Sequence, residues 1–147
     1  MISDEAGIID HKLYCLGVRE ASEGRYLCAI LNSETARAAA EHWQSEGQWG
    51  KRDFDKAIFN LPIPAFNPGD PQHIALAREA RRAETLAAKV ELKEGEHFTS
   101  SRKRIRAALI ASGIAPVIEA LVAELIGVAP AASVPTDQPD PEHDDAD

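Results

Sequence analysis

A short run at residues 47–56, GQWGKRDFDK, carries the side chains best suited to binding another molecule. Its two glycines let the backbone approach a partner closely. Lysine and arginine suit contacts with phosphate, glutamine can read a base edge, and tryptophan can stack on a base. The run therefore predicts a DNA-contacting loop, whose candidate residues are Gln48, Trp49, Lys51, Arg52 and Lys56. The alternative is a solvated connection in which Trp49 packs into the core.

A second basic run falls on a predicted helix and comprises Arg102, Lys103, Arg104 and Arg106. Cations are unfavourable near the start of a helix, because the helix dipole is positive there. Their concentration at that place favours an anionic partner, and we add them to the candidate DNA-binding residues. The alternative is an ordinary solvated helix face.

Three further arginines, Arg78, Arg81 and Arg82, alternate with Glu79 and Glu84 on another predicted helix. Residues three or four positions apart are neighbours on a helix, so opposite charges at that spacing can pair. We interpret this stretch as a solvated helix face with internal ion pairs.

Residues for catalysis or metal binding do not occur in recognisable arrangements. The sequence has no GxGxxG or GxxxxGK[ST] nucleotide motif and no GxSxG nucleophile motif. Cys15 and Cys28 lie in apolar surroundings and are predicted to be buried free thiols. Cysteine and histidine do not occur together at zinc-ligand spacing, and His73 is predicted to pack or to cap a helix. The sequence thus predicts no catalytic residue, no metal and no bound cofactor.

The composition favours helices. Hydrophobic residues make up 44% of the 147 residues but aromatic residues only 5%, so the core must consist of Ala, Leu, Ile and Val. The net charge of −8 argues against a nucleic-acid partner, yet six of the acids fall in the last 20 residues, which contain no Lys or Arg. The remainder has 18 acids and 16 bases, a net charge of −2. Without a long apolar run or a signal-peptide pattern, a cytoplasmic protein is expected.

Hydrophobic periodicity and turn residues predict a helix-dominated α+β fold with two short strands and about four helices. The strands are expected at residues 11–18 and 57–63. The helices are expected at about 22–44, 70–92, 100–112 and 116–127, where Asp70 begins the second and Ser100 or Ser101 the third. Asn32 and Ser33 either interrupt the first helix or cap a second one.

The domain organisation follows from these elements. We predict a flexible N-terminus at residues 1–10, a single recognition or docking domain at 11–127 and a disordered acidic tail at 128–147. Two short strands alone do not make a stable sheet, so the predicted sheet would have to be completed by another part of a larger protein or by a second copy.

Four segments together resemble the C-terminal region of N6-adenine DNA methyltransferases of the type IIG, Eco57I-like restriction-modification class. They are YLCAILNS at 26–33, GQWGKRDFDK at 47–56, LPIPAFNPGDPQH at 61–73, and SRKRIRAAL with SGIAPVIEALVAELIG at 101–127. None of these segments is specific alone. Their order and spacing carry the resemblance, which covers roughly residues 12–127.

The resemblance implies a role in target recognition, or in the helical tail that follows the recognition domain. It places the catalytic parts of that family upstream: an S-adenosylmethionine loop and an (N/D)PPY-type motif that holds a flipped adenine. Neither occurs here, and Asn67-Pro68-Gly69 is not that motif. We therefore expect a non-catalytic DNA-recognition fragment that binds duplex DNA weakly and salt-sensitively and does not itself bind S-adenosylmethionine. The alternative is a protein-interaction or structural remnant that packs on a methylase catalytic domain without binding DNA.

Overall fold

The computed structural model describes residues 16–41, 46–47, 50–51, 57–92, 95 and 97–131. Within these ranges the chain forms five α-helices, a 3-10 turn at Ala57–Asn60 and one minimal β-hairpin. The helices are α1 (Ala21–Leu31), α2 (Glu34–Ala40), α3 (Pro71–Ala87), α4 (Phe98–Ala111) and α5 (Ile114–Ile126). The hairpin strands are β1 (Glu46–Gly47) and β2 (Gly50–Lys51).

The predicted α+β class is wrong, because neither predicted strand is seen. Residues 16–18 have no regular structure, and residues 11–15 lie outside the described ranges. The stretch 57–63 begins as a 3-10 turn, after which the Leu61 N–H donates to the Ile58 carbonyl. Pro62 and Pro64 lack N–H donors, so this stretch cannot supply a regular ladder. The only strand pairing among the described residues is the antiparallel two-residue hairpin, which overlaps the predicted loop.

The predicted helix at 22–44 is two helices separated by Asn32 and Ser33. The Ser33 hydroxyl donates to the Ile30 carbonyl, at 2.8 Å, and accepts from the Ala36 N–H, at 3.0 Å. The same side chain therefore closes the end of α1 and caps the start of α2. A serine that bonds to local backbone in this way competes with continuous helix.

Helix α3 begins where its sequence predicts. The Asp70 carboxylate accepts hydrogen bonds from the N–H groups of Gln72 (2.8 Å) and His73 (3.4 Å), and Pro71 occupies the first helical position. The helix ends at Ala87 rather than near residue 92.

Helices α4 and α5 follow each other directly and are joined at Ser112 and Gly113. Gly113 and Gly127 have φ values of 76° and 71°, in the left-handed region that glycine tolerates, and they follow the ends of the two helices. Helix α4 starts at Phe98, ahead of the serines predicted to cap it. Among the described residues no single helix is long and apolar enough to cross a membrane, although α4 and α5 pass that test as a pair bent by 82°.

The core lies where α1 and α5 pack on two sides of α3. Tyr26, Ile30, Leu76 and Val122 are fully buried there. The Tyr26 ring packs against His73, with ring centroids 4.6 Å apart, so His73 is a packing residue as predicted. Helix α4 covers α3 and α5 from outside, and none of its residues is buried.

Candidate nucleic-acid interface

The predicted DNA-contacting loop lies largely outside the described residues. Gln48, Trp49, Arg52 and Lys56 are among those not described. Lys51 is in β2, where its backbone pairs with Glu46. A role of this loop in binding DNA therefore stays a prediction.

The predicted basic run on α4 contains exposed side chains and side chains that bond to other parts of the fold. Arg102 lies over the ring of Phe98, 5.5 Å from its centroid, and both residues are exposed, as is Lys103. The guanidinium of Arg104 donates to the backbone carbonyl of Glu91, at 2.6 Å. This bond ties the basic run to the connection between α3 and α4.

Arg106 faces inward instead. Its guanidinium forms an ion pair with Glu34 on α2, and the residue is only partly exposed. Its Nε is buried and has no hydrogen-bond partner within the part of the chain that the structure describes. The structure thus separates Arg106 from Arg102 and Lys103, the exposed members of the predicted run.

A second basic surface lies on α3, at the arginines that the sequence predicts to form an ordinary solvated face. It borders a shallow groove with a volume of about 370 Å³, which Leu86 and Ile114 also line. The cations that line the groove are Arg78, Arg81, Arg82 and Lys89. The spacing of the three arginines is the sequence signal that puts them on adjoining positions of one helix, and Lys89 follows just after the end of α3.

Neither glutamate of α3 lines the groove, which leaves the groove electropositive. Glu79 is buried, 4% exposed, and accepts a hydrogen bond from Arg82 at 2.7 Å. Glu84 pairs instead with Arg25 of α1, at 3.0 Å. Four cations therefore stand against one buried carboxylate, a net charge of +3 along the groove.

Arg81 and Lys89 are the most available cations of the groove. Both are exposed, and within the described part of the chain neither side chain has an ion-pair partner. The predicted pairing at a spacing of three residues does occur, between Glu79 and Arg82. It leaves Arg81 and Lys89 without a neutralising carboxylate among the residues described.

Positive and negative residues are also unevenly distributed along the sequence. Residues 71–111, which include α3 and α4, contain nine lysines and arginines and five glutamates, a net charge of +4. With a total of −8, the rest of the chain carries −12. The α3–α4 region is therefore the part of this acidic protein that attracts anions.

The described residues contain no group of three or more His, Cys, Asp or Glu side chains that could hold a metal ion. Comparisons of the chain with protein-family models, with curated proteins and with solved structures found no match.

Proposed function

We propose that this chain is a non-catalytic DNA-binding domain that holds the phosphate backbone of duplex DNA against the groove of α3 and the exposed cations of α4. The observation that carries the proposal is the groove. It presents three arginines of α3 and Lys89, which follows the end of that helix, and two of these four cations have no ion-pair partner among the described residues. The rest of the chain is acidic. An electropositive surface of this kind is the electrostatic footprint of a nucleic-acid-binding protein.

The dimensions of the groove suit a row of phosphates. From Arg78 to Lys89 the cations extend over roughly 16 Å at the rise of an α-helix. Duplex DNA carries about one negative charge per 1.7 Å of its axis, so several phosphates lie within that length. Arginine also binds phosphate with two parallel N–H donors, which lysine cannot do.

The described lining of the groove contains no asparagine or glutamine, the side chains that recognise adenine with two hydrogen bonds. Its arginines could pair with guanine as well as with phosphate. We propose that they contact phosphates, so that the groove positions the duplex without selecting its sequence. Selection would fall to the predicted loop with Gln48 and Lys51, as the resemblance to methyltransferase recognition regions implies. Methyl transfer would belong to a separate catalytic part that binds S-adenosylmethionine.

The first prediction concerns Arg81. Arg81→Glu places a negative charge in the groove, and we expect the affinity for a labelled duplex to fall several-fold or more. The slope of log affinity against log salt should also fall in magnitude by about 1, because one phosphate contact is lost. Fluorescence anisotropy titrations at about 50 and 200 mM salt measure both quantities; three phosphate contacts predict a roughly 40-fold salt effect in the unmodified chain.

A matched control is available in Arg19→Glu, which makes the same change of charge at an exposed residue ahead of α1 and outside the groove. It should weaken binding much less than Arg81→Glu. Equal weakening by both variants would show that only net charge matters, and absence of binding by the unmodified chain at low salt would refute the proposed function.

A further inference from the structure

A separate cavity of about 360 Å³ lies beneath α4, between α1, α3 and α5. Its walls are mainly apolar, and the residues that set its width include Ala83 and Ala87 of α3, Leu109 and Ile110 of α4, and Ala115 and Ile118 of α5. The small alanine side chains leave the space open. This explains why α4 packs on its neighbours without burying any residue.

The charged groups around the cavity are already neutralised. Glu84 pairs with Arg25, and Arg106 pairs with Glu34. Glu119 is buried and accepts hydrogen bonds from two backbone N–H groups and a hydroxyl of α2. A charged molecule entering the cavity would lose its hydration and find no free counter-charge in this lining, so the lining favours a neutral occupant.

Arg106 also contributes to the lining. Its Nε is buried and has no partner within the described part of the chain, so it is not a group that an occupant of the cavity can reach. The polar side chains of the lining therefore offer no additional charge to an occupant.

From these observations we infer that the cavity is a binding site for a neutral, mostly apolar small molecule of fused-ring size. The size follows from the volume. An apolar cavity of about 150 Å³ accommodates benzene, so the larger cavity here accommodates two fused rings. This inference does not depend on the proposed binding of DNA.

The test uses the full chain and the neutral, solvent-sensitive ketone 6-propionyl-2-(dimethylamino)naphthalene. We expect its emission to shift to shorter wavelength and to saturate on titration with the protein. Ala83→Leu should abolish this shift by filling the cavity, whereas Ala120→Leu, on the exposed side of α5, should leave it unchanged. Circular dichroism establishes that each variant is folded, and Ala115→Leu replaces Ala83→Leu if that variant does not fold.

The inference is overturned if the probe does not bind or if the cavity-filling variants bind it unchanged.

Discussion

Tyr26 shows at the scale of one residue how the core combines apolar packing with a satisfied polar group. Its side chain is fully buried, and its hydroxyl donates to the Pro64 carbonyl, at 2.9 Å. Burial raises the pKa of Tyr26 to about 12, and the nearby negative charge of Asp70 adds to the effect. The folded protein therefore holds this phenol in its neutral form at a pH where an exposed tyrosine ionises.

The second prediction is a loss of stability in strong alkali that depends on this hydroxyl. The tyrosine pKa is near 10 in the unfolded chain and about 12 in the folded one. The neutral phenol contributes fully to the free energy of unfolding below pH 10, and this contribution is lost as the pH rises toward 12. Tyr26→Phe should cost about 1 kcal/mol at neutral pH, through the lost hydrogen bond.

Urea unfolding of the unmodified protein and of Tyr26→Phe at roughly pH 8 and pH 11 measures this effect. The difference in unfolding free energy between the two proteins should shrink or change sign at the higher pH. The reason is that Tyr26 can ionise in the unfolded chain, whereas the phenylalanine that replaces it cannot. A difference that stays constant with pH would show that the pKa of Tyr26 is not raised.

At the scale of the element, Glu119 joins two helices that are distant in sequence. Its buried carboxylate on α5 accepts from the N–H of Glu34 (3.0 Å), the N–H of Thr35 (2.9 Å) and the hydroxyl of Thr35 (2.7 Å). These donors belong to the first turn of α2, where backbone N–H groups have no partner within the helix and where the dipole favours a negative charge.

The third prediction follows from those three donors. Glu119→Ala leaves them buried without an acceptor and should lower the free energy of unfolding by about 2–4 kcal/mol. Glu119→Gln keeps one acceptor oxygen and should cost less. Glu124→Ala, on an exposed position of the same helix, should cost under about 0.5 kcal/mol. Thermal unfolding followed by circular dichroism ranks the three variants, and equal losses for Glu119→Ala and Glu124→Ala would contradict this account.

The contrast between α3 and the predicted strands shows which elements the sequence could predict. The start of α3 was predictable because Asp70 and Pro71 act on the backbone within one turn. The predicted strand at 57–63 was wrong because Pro62 lies within it and Pro64 directly follows it, and because a strand needs a partner that no local pattern identifies. Local signals predict where helices begin better than they predict pairing.

The candidate site was only partly predictable for a related reason. The spacing of the arginines of α3 was enough to place them close together on that helix. The sequence could not show that Glu79 is buried or that Glu84 forms an ion pair with Arg25. Arg106 belongs by sequence to the basic run of α4, whereas its partner Glu34 lies 72 residues away. Which charges remain available to a ligand is decided by tertiary packing.

At the scale of the whole molecule, the acidic C-terminal segment is opposed in charge to the α3–α4 region. Residues 132–147 contain six acids and no Lys or Arg. The residues before them belong to the fold, since the Ala131 N–H donates to the Thr35 hydroxyl, at 3.0 Å. A truncation that tests the effect of the acidic residues on DNA binding must therefore keep Ala131, so that this contact is preserved.

The last prediction is that deletion of residues 132–147 strengthens DNA binding. The deletion changes the net charge from −8 to −2, because six carboxylates are removed. Less repulsion should raise the affinity several-fold at about 50 mM salt, and the gain should narrow at about 200 mM, where the screening length is shorter. A full-length variant with the six acids changed to Asn or Gln separates charge from length and should match the deletion. If the deletion strengthens binding and the neutralised variant does not, the segment acts by occupying space; if both weaken binding, the electrostatic account of the α3–α4 surface is wrong.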